Sequence, residues 1–388
     1  MSYSFIQTPA SMSLGQSPTI FSVSSSTAVG QTNFQYIGIL NIYSGSLLNS
    51  GSGDVWQLAK YPSADGFTGI FDVNRILNST QTTLTQTNPS DVKYFTLESF
   101  YRYQSGTTYL TGSHIKSAVY KSVDGYQVFP ETIGQAVQTL TPHWPLMTDG
   151  PVTQSVFIDN IGKIGVYKGY LGTPLPTKVV YSGSNGSNGL INITAANGDT
   201  NNEIETYPQA PAEVGFPLST IGLDSYTIQT YSGATPLGTP ITFEVNCIQK
   251  YPNVRIKWKN RYGQFDYFNF YMANVKSFTS TKKTYQPQLG TWQGTTLSYN
   301  EWDSQTLNYI TDSSQNIQVN TFWIPESYND IFKQLLVSNE IYWCLDNTTS
   351  VKPLTIVTQN IQFKTGVVDK LIQYTFDFAF GQGYKLII

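Results

Sequence analysis

Side chains able to do chemistry are scarce in this 388-residue chain, and they are scattered where they occur. His114 and His143 are its two histidines, and Cys247 and Cys344 its two cysteines. A zinc site of His and Cys draws its ligands from closely spaced pairs of such residues, and these four are isolated from one another. His143 stands in TPHWPL, between prolines and beside Trp144, a setting for a packed or surface imidazole rather than a general base. The chain holds no HExxH, no G-x-S-x-G, no strand-following G-x-G-x-x-G and no phosphate-binding loop. The glycine-rich SGSNGSNG at 182–189 lacks the terminal Lys of such a loop and reads as a flexible hairpin tip or exposed loop. Paired-carboxylate hydrolysis would require two of the 25 acids to meet in a cleft. Glu301-Trp302-Asp303 has the nearest local look of such a site, and it reads as a loop turn. The expectation is a protein that is not an enzyme, with no catalytic residue, cofactor, metal or small-molecule substrate.

The charged residues are more informative. In a chain only 12% charged, Arg255, Lys257, Lys259 and Arg261 alternate with Val254, Ile256 and Trp258. A strand sends successive side chains to opposite faces, so this spacing predicts one apolar face and one row of four cations. Lys276, Lys282 and Lys283 follow, and within 250–283 the sole acid is Asp266. These seven basic residues form the candidate assembly interface. Three readings of the row are open: a solvated face whose charges discourage edge pairing, contact with acidic patches of neighbouring subunits, or non-specific contact with DNA phosphates.

The elements that carry these residues read as mainly β. Hydrophobic residues make up 40% and aromatic residues 14%, with 27 Tyr, and Ser, Thr, Asn, Gln and Gly supply most of the rest. Tyr and Thr favour strands, while Gly, Asn and Ser favour turns. Long Ala/Leu/Glu/Lys runs are missing, which argues against all-α and α/β architectures. The expected fold is tandem immunoglobulin-like β-sandwich domains followed by a β-rich C-terminal domain with one short helix.

Residues 1–18 read as an extended N-terminal arm, 19–130 as a first sandwich, 131–150 as a connector and 151–261 as a second sandwich. Within the first sandwich, Asp124-Gly125 separates VYKSV from YQVF and predicts a two-residue hairpin. Residues 262–388 form the last domain, with its helix at 328–337. Ser327 and Asp330 suggest a capping box, and Ile331, Phe332, Leu335 and Leu336 make one apolar stripe for core packing. Strands are expected at Pro353–Val357, Ile361–Thr365 and Leu371–Phe380. The two cysteines fit either buried thiols or a disulfide. The N-terminus has neither the basic stretch nor the apolar core of a signal peptide. No apolar run approaches the ~20 residues of a membrane span.

Four segments resemble the ring, neck and baseplate-type tail proteins of phages, including crAss-like and related Bacteroidetes phages. They are YIGILNIY at 36–43, YPSADGFTGIFDVNRIL at 61–77, WKNRYGQFDYFNF at 258–270 and FWIPESYNDIFKQLLVSNEIYWCL at 322–345. The resemblance implies a structural protein of the virion, made in the bacterial host cytoplasm and building a ring or collar of the tail, neck or baseplate. Its partners would be other copies of itself and portal, tail or baseplate components. No catalytic residue comes with the pattern. The alternative function is a receptor- or glycan-binding adhesin whose exposed aromatics, Trp292, Tyr299 and Trp302, stack on sugar rings.

Overall fold

Runs that alternate apolar with Thr-, Ser- and Tyr-rich positions favour pleated strands, and the computed structural model is mainly β, built of sandwiched sheets with two short helices. It describes residues 3–44, 53–81, 92–127, 137–157, 162–167, 178–183, 188–192, 201–206, 225–246, 250–345, 350–363, 371–383 and 385–387. The chain divides into two units rather than three domains. The first comprises Met1–Cys247, Trp258–Tyr267 and Asp330–Ser338; the second comprises Ile248–Lys257, Phe268–Asn329 and Asn339–Ile388.

The first unit holds both sandwiches. One sheet, Ser4–Gln7, Ile20–Ser24 and Thr68–Asp72, faces a larger sheet ordered Met12–Leu14, Tyr120–Val123, Val92–Ser105, Thr32–Ser44, Asp54–Lys60. Phe21 and Phe71 from the small sheet meet Tyr36, Leu40, Phe95 and Leu97 from the large one, all fully buried. In the second sandwich a five-stranded sheet is ordered Thr153–Phe157, Thr235–Asn246, Ser225–Ser232, Lys178–Gly183, Asn188–Asn192. Its core side chains Val156, Ile228 and Ile241 pack with Ile164 and Val166 of the two-stranded sheet formed by Gly162–Tyr167 and Asn201–Thr206. Lys178–Gly183 and Asn188–Asn192 form a hairpin around 184–187, which lie outside the described residues.

Two expectations fail here for a common reason. The segment 1–18 is not a free arm, because Ser4–Gln7 pairs antiparallel with Ile20–Ser24 and Met12–Leu14 pairs parallel with Tyr120–Val123. The described part of 131–150 is not a bare connector either: Val137, Leu146 and Met147 are buried in the cores. Two or three apolar residues suffice to dock such segments, too few for a period to show in sequence. The predicted Asp124-Gly125 hairpin is also absent over the described residues. No strand follows at 126–127, while 128–130 lie outside them. Gly125 does adopt a positive φ of 130°, and an added Cβ there would lie 2.1 Å from the Arg261 carbonyl.

The second unit is organised by an eight-stranded sheet. Its order is Phe265–Phe270, Val254–Lys259, Ile341–Cys344, Val351–Ile356, Thr375–Phe380, Leu307–Asn320, Val275–Tyr285, with Lys385–Ile387 also paired to Leu307–Asn320. Phe376 and Phe378 are fully buried, and Phe270 meets Phe376 edge-on at 5.7 Å between ring centroids. The helix Asn329–Val337, whose residues from Asp330 on belong to the first unit, buries Ile331, Phe332 and Leu335, as its stripe predicted. Its expected capping box does not form: a 3-10 turn at Glu326–Tyr328 precedes the helix, with Pro325 at the cap, and the Asp330 carboxylate accepts from Lys333. No strand covers 361–363, and 364–365 lie outside the described residues. Cys344 is half-buried, and Cys247 lies outside the described residues.

Buried tyrosines tie the stability of the chain to alkaline pH. Burial pushes the Tyr36 hydroxyl up from 10.0 to about 12, and its O–H donates to the Phe67 carbonyl. A group whose proton is held more tightly in the folded state contributes fully below its unfolded pKa and loses that contribution as pH rises through the folded one. Unfolding free energy is therefore expected to be insensitive to this group below pH 10 and to fall as pH rises from 10.0 to about 12. Urea titrations across that range should show a shallower decline for Tyr36→Phe.

Candidate assembly interface

The basic row splits in two once the strands are in place. Val254–Lys259 is buried along its whole length, with Arg255, Lys257 and Lys259 only 4%, 7% and 7% exposed. An interior strand with neighbours on both sides can be covered on both faces, so alternation alone does not send the polar face to water. The expected open row of Arg255, Lys257, Lys259 and Arg261 is thus corrected. Lys257, Lys259 and Arg261 are met by groups from distant parts of the chain.

Within the first unit, Lys259 Nζ lies 2.5 Å from Asp124 Oδ2, a carboxylate 1% exposed. Arg261 Nε lies 2.5 Å from Asp149 Oδ2, and Arg261 Nη2 donates to Asp149 Oδ1 at 2.9 Å. Asp149 also accepts from the Tyr262 hydroxyl at 2.7 Å and from Gln334 Nε2 at 2.6 Å. The backbone N–H of Arg261 in turn donates to Gln334 Oε1. Burial by itself would loosen the proton on the Arg261 guanidinium, but Asp149 and then Tyr262 outweigh it and the pKa is raised. Burial, followed by the Asp149 charge, likewise raises the Tyr262 hydroxyl. Within the second unit, Lys257 Nζ sits 5.6 Å from the centre of the Tyr342 ring, a cation–π arrangement. These four side chains belong to the interior.

Lys276, Lys282 and Lys283 have the opposite environment. They lie on Val275–Tyr285, exposed at every residue. This strand pairs antiparallel with Leu307–Asn320 from Val275↔Gln318 to Tyr285↔Leu307, with a bulge between Lys283 and Thr284. Together they make a long ribbon, joined further out by Lys385–Ile387, which pairs with Ile310–Asp312, and anchored at its base, where Ile317 and Val319 are fully buried opposite Phe378 and Phe376. Lys276 is held there, 4.8 Å from the centre of the Trp343 ring.

Away from the base, large apolar side chains stand in solvent. Phe278 is 60% exposed, Tyr299 71% and Trp302 82%, and Trp292, Leu307 and Tyr309 are exposed as well. The distal end is a small hairpin of Thr291–Gln293 with Thr296–Ser298, whose turn uses Gly294 at φ 65°. Glu301-Trp302-Asp303 is a turn, as expected: Asp303 Oδ2 accepts from the Asn300 N–H at 2.8 Å and the Asp303 N–H donates to the Asn300 carbonyl.

The ribbon escaped the sequence reading in part. Lys276–Gln288 reads in sequence as a basic, polar stretch, and Leu307–Asn320 carries DSSQN at its middle, a composition of turns. The signal that could have found it is the pairing itself: two Thr- and Tyr-containing runs of similar length on either side of a Gly-Thr-Trp-rich loop.

The histidines are structural in kind. Buried His143 places Nδ1 3.0 Å from the Thr239 carbonyl oxygen and Nε2 3.1 Å from that of Gly150. His114 stacks on Phe100 and faces Glu98 at 3.3 Å. Among the described residues, no three of His, Cys, Asp and Glu come together closely enough to hold a metal ion, and no helix is long and apolar enough to cross a membrane.

No protein-family model and no curated protein matches this chain. Among solved structures, similarity is reported to a chimeric titin Z1Z2 carrying a KLER peptide from decorin, at 12% identity and a TM-score of 0.15, covering 64% of this chain and 100% of that one. A Salmonella alpha-2-macroglobulin mutant matches at 8% identity and a TM-score of 0.19, over 100% of this chain and 34% of that one. Sidekick-1 immunoglobulin domains 1-5 match at 9% identity and a TM-score of 0.15, over 81% of this chain and 56% of that one. Likeness at this level carries no argument about fold or function.

The buried pairs give a direct test of the correction. Asp149→Ala strands the Arg261 guanidinium and should lower unfolding free energy by about 3–5 kcal/mol. Replacing both members of the other pair with apolar residues, Lys259→Met with Asp124→Leu, should be close to neutral. Chemical denaturation of the two variants beside the parent protein measures both.

Proposed function

We propose that this chain is a structural subunit of a multi-copy assembly, which its segments at 36–43, 61–77, 258–270 and 322–345 suggest is a ring or collar of a phage tail, neck or baseplate. The observation that carries the assembly reading is the ribbon of Val275–Tyr285 and Leu307–Asn320. Beyond the short third strand Lys385–Ile387 the ribbon is a two-stranded element, marginal in water on its own, and it keeps Phe278, Trp292, Tyr299 and Trp302 exposed. Several large apolar side chains left in solvent along one stretch of chain, 278–309, suggest a surface that meets a partner. Tyr and Trp are the side chains that supply contact area at low entropic cost.

The second reading, a receptor- or glycan-binding adhesin, is favoured by the same exposed Trp292, Tyr299 and Trp302. The two readings differ in what the ribbon meets. An assembly subunit self-associates or joins purified particles, and an adhesin binds host cells or glycans as a free protein.

Sedimentation and particle incorporation check the proposal. The parent protein is expected to form oligomers, or to appear in virions labelled with an antibody against it. The double substitution Trp292→Ala with Trp302→Ala should reduce association severalfold while circular dichroism and urea stability stay unchanged, since neither side chain is buried. A stable monomer that never enters particles, and whose host adsorption is lost with the same double substitution, would overturn the assembly reading in favour of the adhesin.

A further inference from the structure

Two open sheet edges in this chain match each other. Among the described residues, Val275–Tyr285 ends the eight-stranded sheet, paired on one side, to Leu307–Asn320. Among the described residues, Asp54–Lys60 ends the large sheet of the first unit, paired on one side, to Thr32–Ser44. Both strands are exposed almost throughout, and Val55 and Trp56 on the second stand in solvent like Phe278 on the first. Unpaired edges offer rows of N–H and C=O groups to another strand.

We propose that the edge strand Val275–Tyr285 of one copy adds antiparallel to the edge strand Asp54–Lys60 of the next, so that identical chains join head to tail by a shared sheet. This rests on the reading of the chain as an assembly subunit and names the surfaces involved.

Charge selects the register. With Gln57 opposite Ser280, Asp54 faces Lys283, Trp56 faces Thr281, Leu58 faces Thr279 and Lys60 faces Ser277. Every cation then faces a neutral or acidic residue. Sliding one residue in one direction sets Lys60 against Lys276 while Asp54 keeps a cation, Lys282, opposite it, and sliding in the other moves Asp54 from Lys283 to Thr284. Opposite charges directly across a sheet are stabilising and like charges destabilising. Pairing of Val275–Tyr285 with its own copy about Thr279 would oppose Lys276 to Lys282. The lysines that guard this edge against indiscriminate pairing therefore admit the strand that brings Asp54. Because the two patches differ, the contact is heterologous, and repetition of such a contact closes rings or extends filaments.

Cross-linking tests the pairing. Gln57→Cys and Ser280→Cys are each made as single variants at exposed positions and co-expressed under oxidising conditions. The expected result is a covalent dimer from the mixture, reducible by thiol, and none from either variant alone or from the parent protein. Separately, Asp54→Lys should weaken self-association by roughly five- to tenfold, and adding Lys283→Asp should restore it. A covalent dimer from Ser280→Cys alone would overturn the proposal in favour of a two-fold contact. No cross-link in the mixture and no rescue by Lys283→Asp, with the parent protein still oligomeric, would overturn the pairing while leaving the assembly reading intact. A parent protein that is monomeric at every concentration and absent from particles would overturn both.

Discussion

A cation placed in the interior of a sheet must be given an acid or a π face there, and much of this chain's long-range order answers that demand. Taking an ammonium or guanidinium out of water carries a penalty of several kcal/mol after relaxation, which only a well-made pair offsets. Lys259 obtains Asp124 and Arg261 obtains Asp149, from segments more than a hundred residues earlier. Asp149 is further loaded with the Tyr262 hydroxyl and Gln334 amide, so both carboxylate oxygens are occupied. The segment around 149, the turn after Lys259 and the helix that carries Gln334 are thereby fixed to one another within the first unit. Apolar residues of the same volume would give comparable stability, but they would not specify which segments meet. The buried pairs act on specificity of fold.

The ribbon obeys the opposite rule. Its lysines are exposed, Phe278, Tyr299 and Trp302 stand in solvent, and it is anchored where Ile317 and Val319 enter the core and where Lys385–Ile387 pairs with Ile310–Asp312. Phe270, Phe376 and Phe378 show that the second unit can build a packed aromatic core. Exposure of Phe278, Tyr299 and Trp302 is therefore a property of where they sit, not of a unit short of packing.

Much of the fold was legible in sequence because strand alternation is local. Phe34–Tyr43, Lys93–Tyr103 and Tyr226–Tyr231 could be read from their own side chains, as could the helix from Ile331, Phe332 and Leu335. What failed was non-local. The charge tally over 250–283 found only Asp266 among the lysines and arginines, and it predicted an open row. The acids that cancel Lys259 and Arg261 come from Asp124 and Asp149, which no window centred on the strand contains. Asp124 itself read as half of a turn dipeptide, when its carboxylate is taken up by Lys259. In the same way, Met12 and Leu14 are too few to show a period, so a docked strand looked like a free arm. The candidate surface was half legible: Lys282 and Lys283 were noticed for charge, but the strand that carries them gains its meaning from a partner, Leu307–Asn320, that reads locally as a turn.

Strand addition by itself would hold neighbours weakly. A net contribution near 1 kcal/mol per hydrogen bond, over an edge the length of Asp54–Lys60, falls within the cost of immobilising two proteins. Two features compensate in a closed assembly. Apolar side chains beyond the paired strands, Trp292, Tyr299 and Trp302 above all, add contact area that the edge lacks. And closure makes the last contact intramolecular, so that breaking any single interface no longer releases a subunit. A weak, register-selective edge is then an advantage, because mispaired copies dissociate before they are trapped. The lysines on Val275–Tyr285 fit that logic: they weaken the self-pairing about Thr279 and the slide that sets Lys60 against Lys276, while a ring of the proposed kind would retain its stability through the number of right contacts.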